Sequence, residues 1–320
     1  MPVEGGNSMA DKDNASKVFL GDRKVFADAF NGLLFNGEKI VEPDKLSELD
    51  PNEILNQDDF VGLDKNMERH RDLLKQLTLM AAGGKTFAIL GIEAQSYLDY
   101  SMPVRLMLYD ALRLAQEIRN LKQKKVSGGL PDDRIAPVFT LVAYLSPKPW
   151  TAARSIRELL MPMPREFDAL VQDYRINLLC PNEMSDDGIR KFRTGLAPLL
   201  YMLKHDNDEE QLLRGIATEP MFRQLDRPTL SAIRQLTKYD FNIEDDKEIQ
   251  DMSTGTLTLS QYVFNKGKAE GIAEGKAEGI IRIMLSMNKK PDEIREQLVL
   301  ICKMSPEQAK QTLEEFSSGS

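Results

Sequence analysis

Residues 69–109, RHRDLLKQLTLMAAGGKTFAILGIEAQSYLDYSMPVRLMLY, decide how the rest of the chain is read. Leu73–Met80 and Thr86–Ile92 are two apolar runs of strand length, separated by the small residues Ala81-Ala82-Gly83-Gly84. That pattern predicts a β-hairpin. The second run is apolar on both alternating faces from Phe87 to Ile92, as suits a central strand covered on both sides. A loop centred on Ala82-Gly83 sets Asp72 opposite Glu93, and His70 opposite Gln95. Directly opposed residues project from one face with Cβ atoms roughly 4.5–5.5 Å apart. Glu93 and Gln95 share that face because side chains alternate with period two. A loop centred one residue later pairs Asp72 with Gln95 instead and leaves Glu93 diagonal to it.

Two carboxylates opposed at the edge of an apolar sheet repel each other and lose hydration. A hard divalent cation with a preference for oxygen ligands reverses that sign. The competing reading is that both acids sit at frayed strand ends in water, each with a surface partner.

Three pieces of this stretch carry a family resemblance: Arg71-Asp72-Leu73-Leu74 before the turn, Ile92-Glu93-Ala94-Gln95-Ser96 after it, and Met102-Pro103-Val104-Arg105-Leu106-Met107-Leu108-Tyr109 beyond. Together they resemble the core of the PD-(D/E)XK nucleases, and more narrowly the recombination-promoting nuclease, or transposase-like, group. In that group E-x-Q stands for the usual E-x-K, and a helix with R-x-x-x-Y follows. The resemblance implies an α/β fold: a restriction-endonuclease-like core, with a mixed sheet flanked by helices, followed by an α-helical C-terminal region. It implies a metal-dependent DNA endonuclease of recombination or mobile-DNA biology, with DNA as partner. Asp72 and Glu93 would then be the ligands of Mg²⁺ (or Mn²⁺), Gln95 would replace the family's lysine, and Arg105 and Tyr109 would lie on the supporting helix. Ala94 stands where many relatives carry histidine or phenylalanine.

The amide of Gln95 supplies no positive charge to the attacked phosphate, although it can orient a water. The alternative function is therefore a catalytically weak DNA-binding or scaffolding protein that retains the nuclease fold. A first-helix acid sometimes approaches the site in this fold, which makes Asp28 a further supporting candidate; the plainer reading is a solvated acid on a helix face.

Composition narrows the classes. No apolar run approaches the roughly 20 residues of a membrane span, and the start MPVEGGNSMADKDNASK lacks a signal-peptide core. Cys180 and Cys302 are too far apart in sequence to suggest a disulfide framework, which fits a reducing cytoplasm. With only His70 and His205 as histidines, Cys/His zinc chemistry is improbable. A net charge of −8 excludes a general nucleic-acid coat protein but leaves room for one local basic patch.

Along the chain, residues 1–17 are expected to be disordered, 18–150 to form the nuclease-like core, 151–260 a helical appendage, and 261–320 a glycine-repeat helix with a short helical module. Val25, Phe26, Ala29, Phe30, Leu33 and Leu34 recur at helical spacing between Asp22 and Phe35, and Asn36-Gly37 stops that helix. Glu38–Val41 is expected as a short strand. A helix from Pro103 to about Lys125 carries Arg113, Arg119, Lys122, Lys124 and Lys125 towards its end. These cations suit a helix C-terminus, and they equally suit contacts to DNA phosphates. Ile135–Leu145 is a β-branched strand, and reaching it through so long a helix implies a parallel pair with Thr86–Ile92. Trp150 is expected as a packing anchor. Phe167–Leu179, Gly188–Lys204, Glu210–Ile216 and Thr229–Leu236 read as helical. Glycine recurs at 267, 271, 275 and 279, a stripe that suits close packing of a second helix or, alternatively, a partly melted hinge. A second copy of the same helix is the simplest partner, giving a homo-oligomer through the C-terminal helices, and docking onto the Thr151–Asn242 helices is the rival. Pro291 and Ser305-Pro306 mark helix starts.

Overall fold

The structure, a computed structural model, describes residues 9–50, 52–53, 69–70, 72–81, 84–124, 134–222, 225–239, 281, 290–302 and 304–318. The chain divides into two units, Met1–Thr256 and Leu257–Ser320. The first unit runs α1 (Met9–Gly21), α2 (Arg23–Leu34), β1 (Leu46–Glu48), β2 (Asn52–Glu53), β3 (Arg69–His70), β4 (Leu73–Ala81), β5 (Gly84–Gln95), α3 (Met102–Lys124) and β6 (Val138–Tyr144). It continues with α4 (Ile156–Leu159), α5 (Arg165–Asp168), β7 (Asn177–Leu179), α6 (Asp186–Ile189), α7 (Leu196–Lys204), α8 (Glu209–Thr218) and α9 (Arg227–Leu236).

The hairpin takes the register of a loop centred on Ala82-Gly83: β4 and β5 pair antiparallel from Leu73↔Ile92 to Ala81↔Gly84. After the α3 crossover, β6 pairs parallel with β5 from Ile89↔Val138 to Gln95↔Tyr144. The result is a five-stranded mixed sheet, β1-β4-β5-β6-β7, with β5 in the middle. Both faces of β5 are covered, which is why its sequence is apolar on both. On one face α3 contributes Met102, Leu106 and Tyr109 to a core with Val142, Tyr144, Trp150 and Cys180. Trp150 meets Tyr144 edge-on at 5.1 Å, a packing anchor. On the other face α2 packs Phe26 beneath Lys75, whose ammonium lies 5.2 Å from the ring centre and 2.6 Å from Glu48.

Helix α2 begins where the sequence predicts. Asp22 accepts hydrogen bonds from the backbone N–H of Lys24 (2.8 Å) and Val25 (3.1 Å), and these satisfy two otherwise orphaned donors. It stops at Asn36 and Gly37, both at positive φ. Gly32 lets α2 approach Phe192 closely, since a Cβ there would lie 2.3 Å from the ring.

The structure corrects several expectations. Residues 9–17, expected to be disordered, belong to α1, because Ala15, Ser16, Phe19 and Leu20 form a buried stripe. Glu38–Val41 is not a strand. The Asn31 side chain takes the backbone N–H of Ile40 and Val41 and donates to the Val41 carbonyl, leaving these groups unable to join a ladder. Phe167–Leu179 is helical only in its first two residues, which close α5 (Arg165–Asp168), and its end is β7, paired parallel with β6. The sheet therefore continues past residue 150, where the core was expected to stop. Gly188–Lys204 is broken between α6 and α7, because the backbone N–H groups of Arg193 and Thr194 turn to the buried carboxylate of Asp28.

The second unit contains α10 (Pro291–Cys302) and α11 (Pro306–Ser318), starting where the prolines predict. Ser305 and Gln308 cap α11 reciprocally, side chain to backbone N–H in both directions. Ile281, Ile294, Leu298, Ala309 and Leu313 form its core. The glycine repeat at 267–279, on which the expectation of self-association rests, lies outside the described residues.

Candidate active site at the end of the central hairpin

Asp72 is the last residue before β4, one step beyond the Leu73↔Ile92 pair, and so continues the ladder towards Glu93. The alternative register, with Asp72 opposite Gln95, does not occur. The Asp72 side chain is nearly buried, and each oxygen has a donor. Oδ2 accepts the Ala94 backbone N–H at 2.9 Å, and Oδ1 lies 2.7 Å from Lys17 Nζ. Asp72 is thereby tied to the middle residue of Glu93-Ala94-Gln95.

Glu93 is completely buried on β5, and the Arg105 guanidinium donates to its Oε1. Arg105 also donates to Tyr109 Oη at 3.2 Å and to Asp99 at 3.3 Å. Arg105 and Tyr109 meet because residues four apart share a helix face. Burial pushes the Arg105 pKa down, but Glu93 and Tyr109 more than reverse this and raise it. Burial pushes Asp99 up, and its bonds to Ser101 together with Arg105 outweigh that and hold it below the ordinary carboxylate value.

Gln95 is buried on the same face as Glu93. Its Oε1 makes no hydrogen bond among the described residues. His70, expected opposite it, pairs instead with Asn52 in a separate two-stranded ladder of β2 and β3.

Sequence reasoning missed two residues, both on α1. Lys17 forms the ion pair with Asp72, and that contact raises its pKa, with burial opposing. Asp13 accepts from Ser96 Oγ at 2.6 Å, immediately after Gln95. Their i, i+4 spacing beside the apolar residues Ala15, Phe19 and Leu20 was the available signal, masked by the polar composition around it.

Other candidates lie elsewhere or are engaged. Asp28 accepts from Arg193 N, Thr194 N and Thr194 Oγ1, and among the described residues none of its hydrogen bonds reaches Asp72, Glu93 or Gln95. It anchors the α6–α7 loop. Burial is the main influence on its pKa and raises it, against the hydrogen bonds from Thr194 and Arg193. Arg113 pairs with Glu117 along α3 at 2.7 Å, and Arg119 is engaged within the protein. Lys122 and Lys124 belong to the last turn of α3, and Lys125 lies outside the described residues.

Among the described residues no three His, Cys, Asp or Glu side chains converge as a ready-made metal cage. Mg²⁺ does not require one, since it commonly takes one or two carboxylates and completes its shell with waters and substrate phosphate. Asp72 and Glu93 with the buried Gln95 oxygen are hard oxygen donors, so the residues present fit such an ion. Both carboxylates hold cationic side chains, Lys17 on Asp72 and Arg105 on Glu93.

A mixed sheet flanked by helices, with an acid before one strand of a hairpin and E-x-Q closing the other, is consistent with the PD-(D/E)XK type. The chain belongs to the YhgA-like putative transposase family, whose model matches residues 41–230. No curated protein and no solved structure matches the chain. Among the described residues no helix is long and apolar enough to cross a membrane.

Proposed function

We propose that this protein is a metal-dependent DNA endonuclease with a role in mobile DNA, hydrolysing a phosphodiester bond. The observation that supports it most is the union at one sheet corner of Asp72, Glu93 and Gln95, with a cation on each carboxylate. Asp72 and Glu93 would hold Mg²⁺ or Mn²⁺. A bound ion supplies Lewis-acid polarisation of the phosphate and acidifies water. Gln95 offers a buried amide to orient the attacking water. The water oxygen bonds to phosphorus and its proton passes to solvent, while the P–O bond to one deoxyribose breaks and the departing alkoxide takes a proton from solvent. Arg105 fixes the orientation of Glu93 through its shared hold on Asp99 and Tyr109.

Supercoiled plasmid incubated with purified protein and Mg²⁺, with and without EDTA, tests this. Nicking that EDTA stops, and that Asp72→Asn and Glu93→Gln abolish while remaining folded, is the expected result. Cleavage retained in both variants would remove these residues from the site. A catalytically weak DNA-binding protein is the second reading, favoured by the neutral Gln95. Plasmid binding without nicking is its signature.

A further inference from the structure

We propose that Lys17 is a catalytic residue: its ammonium, paired with Asp72, is the cation at the scissile phosphate that Gln95 cannot supply. This rests on the nuclease reading above and adds to it a residue from outside the hairpin.

The position of Lys17 is built rather than incidental. Its Nζ lies 2.7 Å from Asp72 Oδ1, while Asp72 Oδ2 is tied to the backbone N–H between Glu93 and Gln95. The ammonium therefore stands beside Asp72, whose other oxygen reaches the backbone between Glu93 and Gln95. Helix α1 is fixed there a second time, independently, by Ser96 Oγ donating to Asp13 one turn earlier. Phe19 and Leu20 are buried just beyond, so the lysine stem rises from a packed helix.

Exposure separates a phosphate-binding role from simple neutralisation. The Lys17 side chain is 44% exposed and that of Asp72 8%, so the ammonium lies on the solvent side of the carboxylate, the side from which a nucleic acid arrives. The other cation at this corner is fully committed, since Arg105 serves Glu93, Asp99 and Tyr109 together. Lysine also has the right chemistry. A point charge with three donors on a flexible four-carbon stem can turn from a carboxylate to a phosphate oxygen without its helix moving. In the hydrolysis it donates hydrogen bonds to a non-bridging oxygen and keeps its proton. The water proton passes to solvent, and the leaving oxygen is protonated from solvent.

Lys17 and a divalent cation compete for the same Asp72 oxygen, so loss of Lys17 strengthens metal binding while weakening cleavage. A lysine at position 95 stands at the same corner, so it restores what is lost with Lys17.

The experiment uses the full-length protein, with Lys17→Met and Lys17→Gln checked by circular dichroism. The Lys17 side chain is 44% exposed and Asp72 keeps the Ala94 N–H, so both variants are expected to fold. Plasmid cleavage in Mg²⁺ should fall at least about 100-fold, the usual loss for one donor at the developing charge. Mn²⁺ binding without DNA, followed by calorimetry, should be as tight as in the wild type or tighter. Adding Gln95→Lys to Lys17→Met should recover cleavage. If either folded variant cleaves like the wild type, or loses Mn²⁺ binding together with cleavage, or is not rescued by Gln95→Lys, the inference falls and the nuclease reading stands. If the wild type itself shows no EDTA-sensitive cleavage, both fall.

Discussion

Arg105 donates to Glu93, and the two differ sharply in setting: the Glu93 carboxylate is completely buried, whereas a quarter of the Arg105 side chain reaches solvent. Removing one partner of a buried pair is costly when the charge left behind has no water. Arg105→Met takes the guanidinium from the buried Glu93 carboxylate and is expected to lower stability by about 3–5 kcal/mol. Glu93→Gln leaves Arg105 with Asp99, Tyr109 and solvent, and should cost under about 2 kcal/mol. Urea denaturation of the two variants measures the asymmetry. Equal losses would contradict it.

Gln95 sets stability against chemistry. Its buried Oε1 has no hydrogen-bond partner among the described residues, and such a group costs about 1–3 kcal/mol. Gln95→Met should therefore leave the protein as stable or more stable, by up to about 2 kcal/mol, while reducing plasmid cleavage. Gln95→Lys brings the charge commoner among PD-(D/E)XK nucleases, and cleavage should hold or rise. A folded but inactive Gln95→Lys protein would show that the amide has a role no cation can take.

Acid stability provides a test far from the site. Burial pushes the Asp186 pKa up, but Lys204 and His205, the latter at 3.0 Å, hold it below the ordinary value of 3.8. A carboxylate depressed in the folded state adds stability above its unfolded pKa and loses it as pH falls through the folded one. Asp186→Asn should lower stability at pH 6 and flatten the decline below about pH 4. Thermal unfolding between pH 2.5 and 6 reads this, and parallel curves for the two proteins would sink it.

The centre of the molecule was legible in the chain before it folded. The small-residue turn left two hairpin registers, of which the structure takes the one centred on Ala82-Gly83, and a long helix between two apolar runs forces the parallel pairing of β5 with β6. Asp22, the Asn36-Gly37 stop and the two prolines at 291 and 306 are equally local signals, each acting on backbone groups a few residues away. Asp72 and Glu93 could be set opposite each other on paper because strand side chains alternate with period two, whereas Arg105 and Tyr109 joined them only through the family resemblance.

What depends on distant partners emerged only in three dimensions. Residues 9–17 look too polar to fold, and they form a helix because Ala15, Phe19 and Leu20 find a buried surface that the sequence does not display. With that helix comes Lys17, 55 positions from Asp72 in the numbering and 2.7 Å away in space. Asp28 left the candidate site because the backbone of Arg193 and Thr194, far along the chain, needed an acceptor. Local pattern states which face a residue takes, but which distant group will fill that face is settled only when the chain packs and every buried donor, acceptor and charge must find its partner.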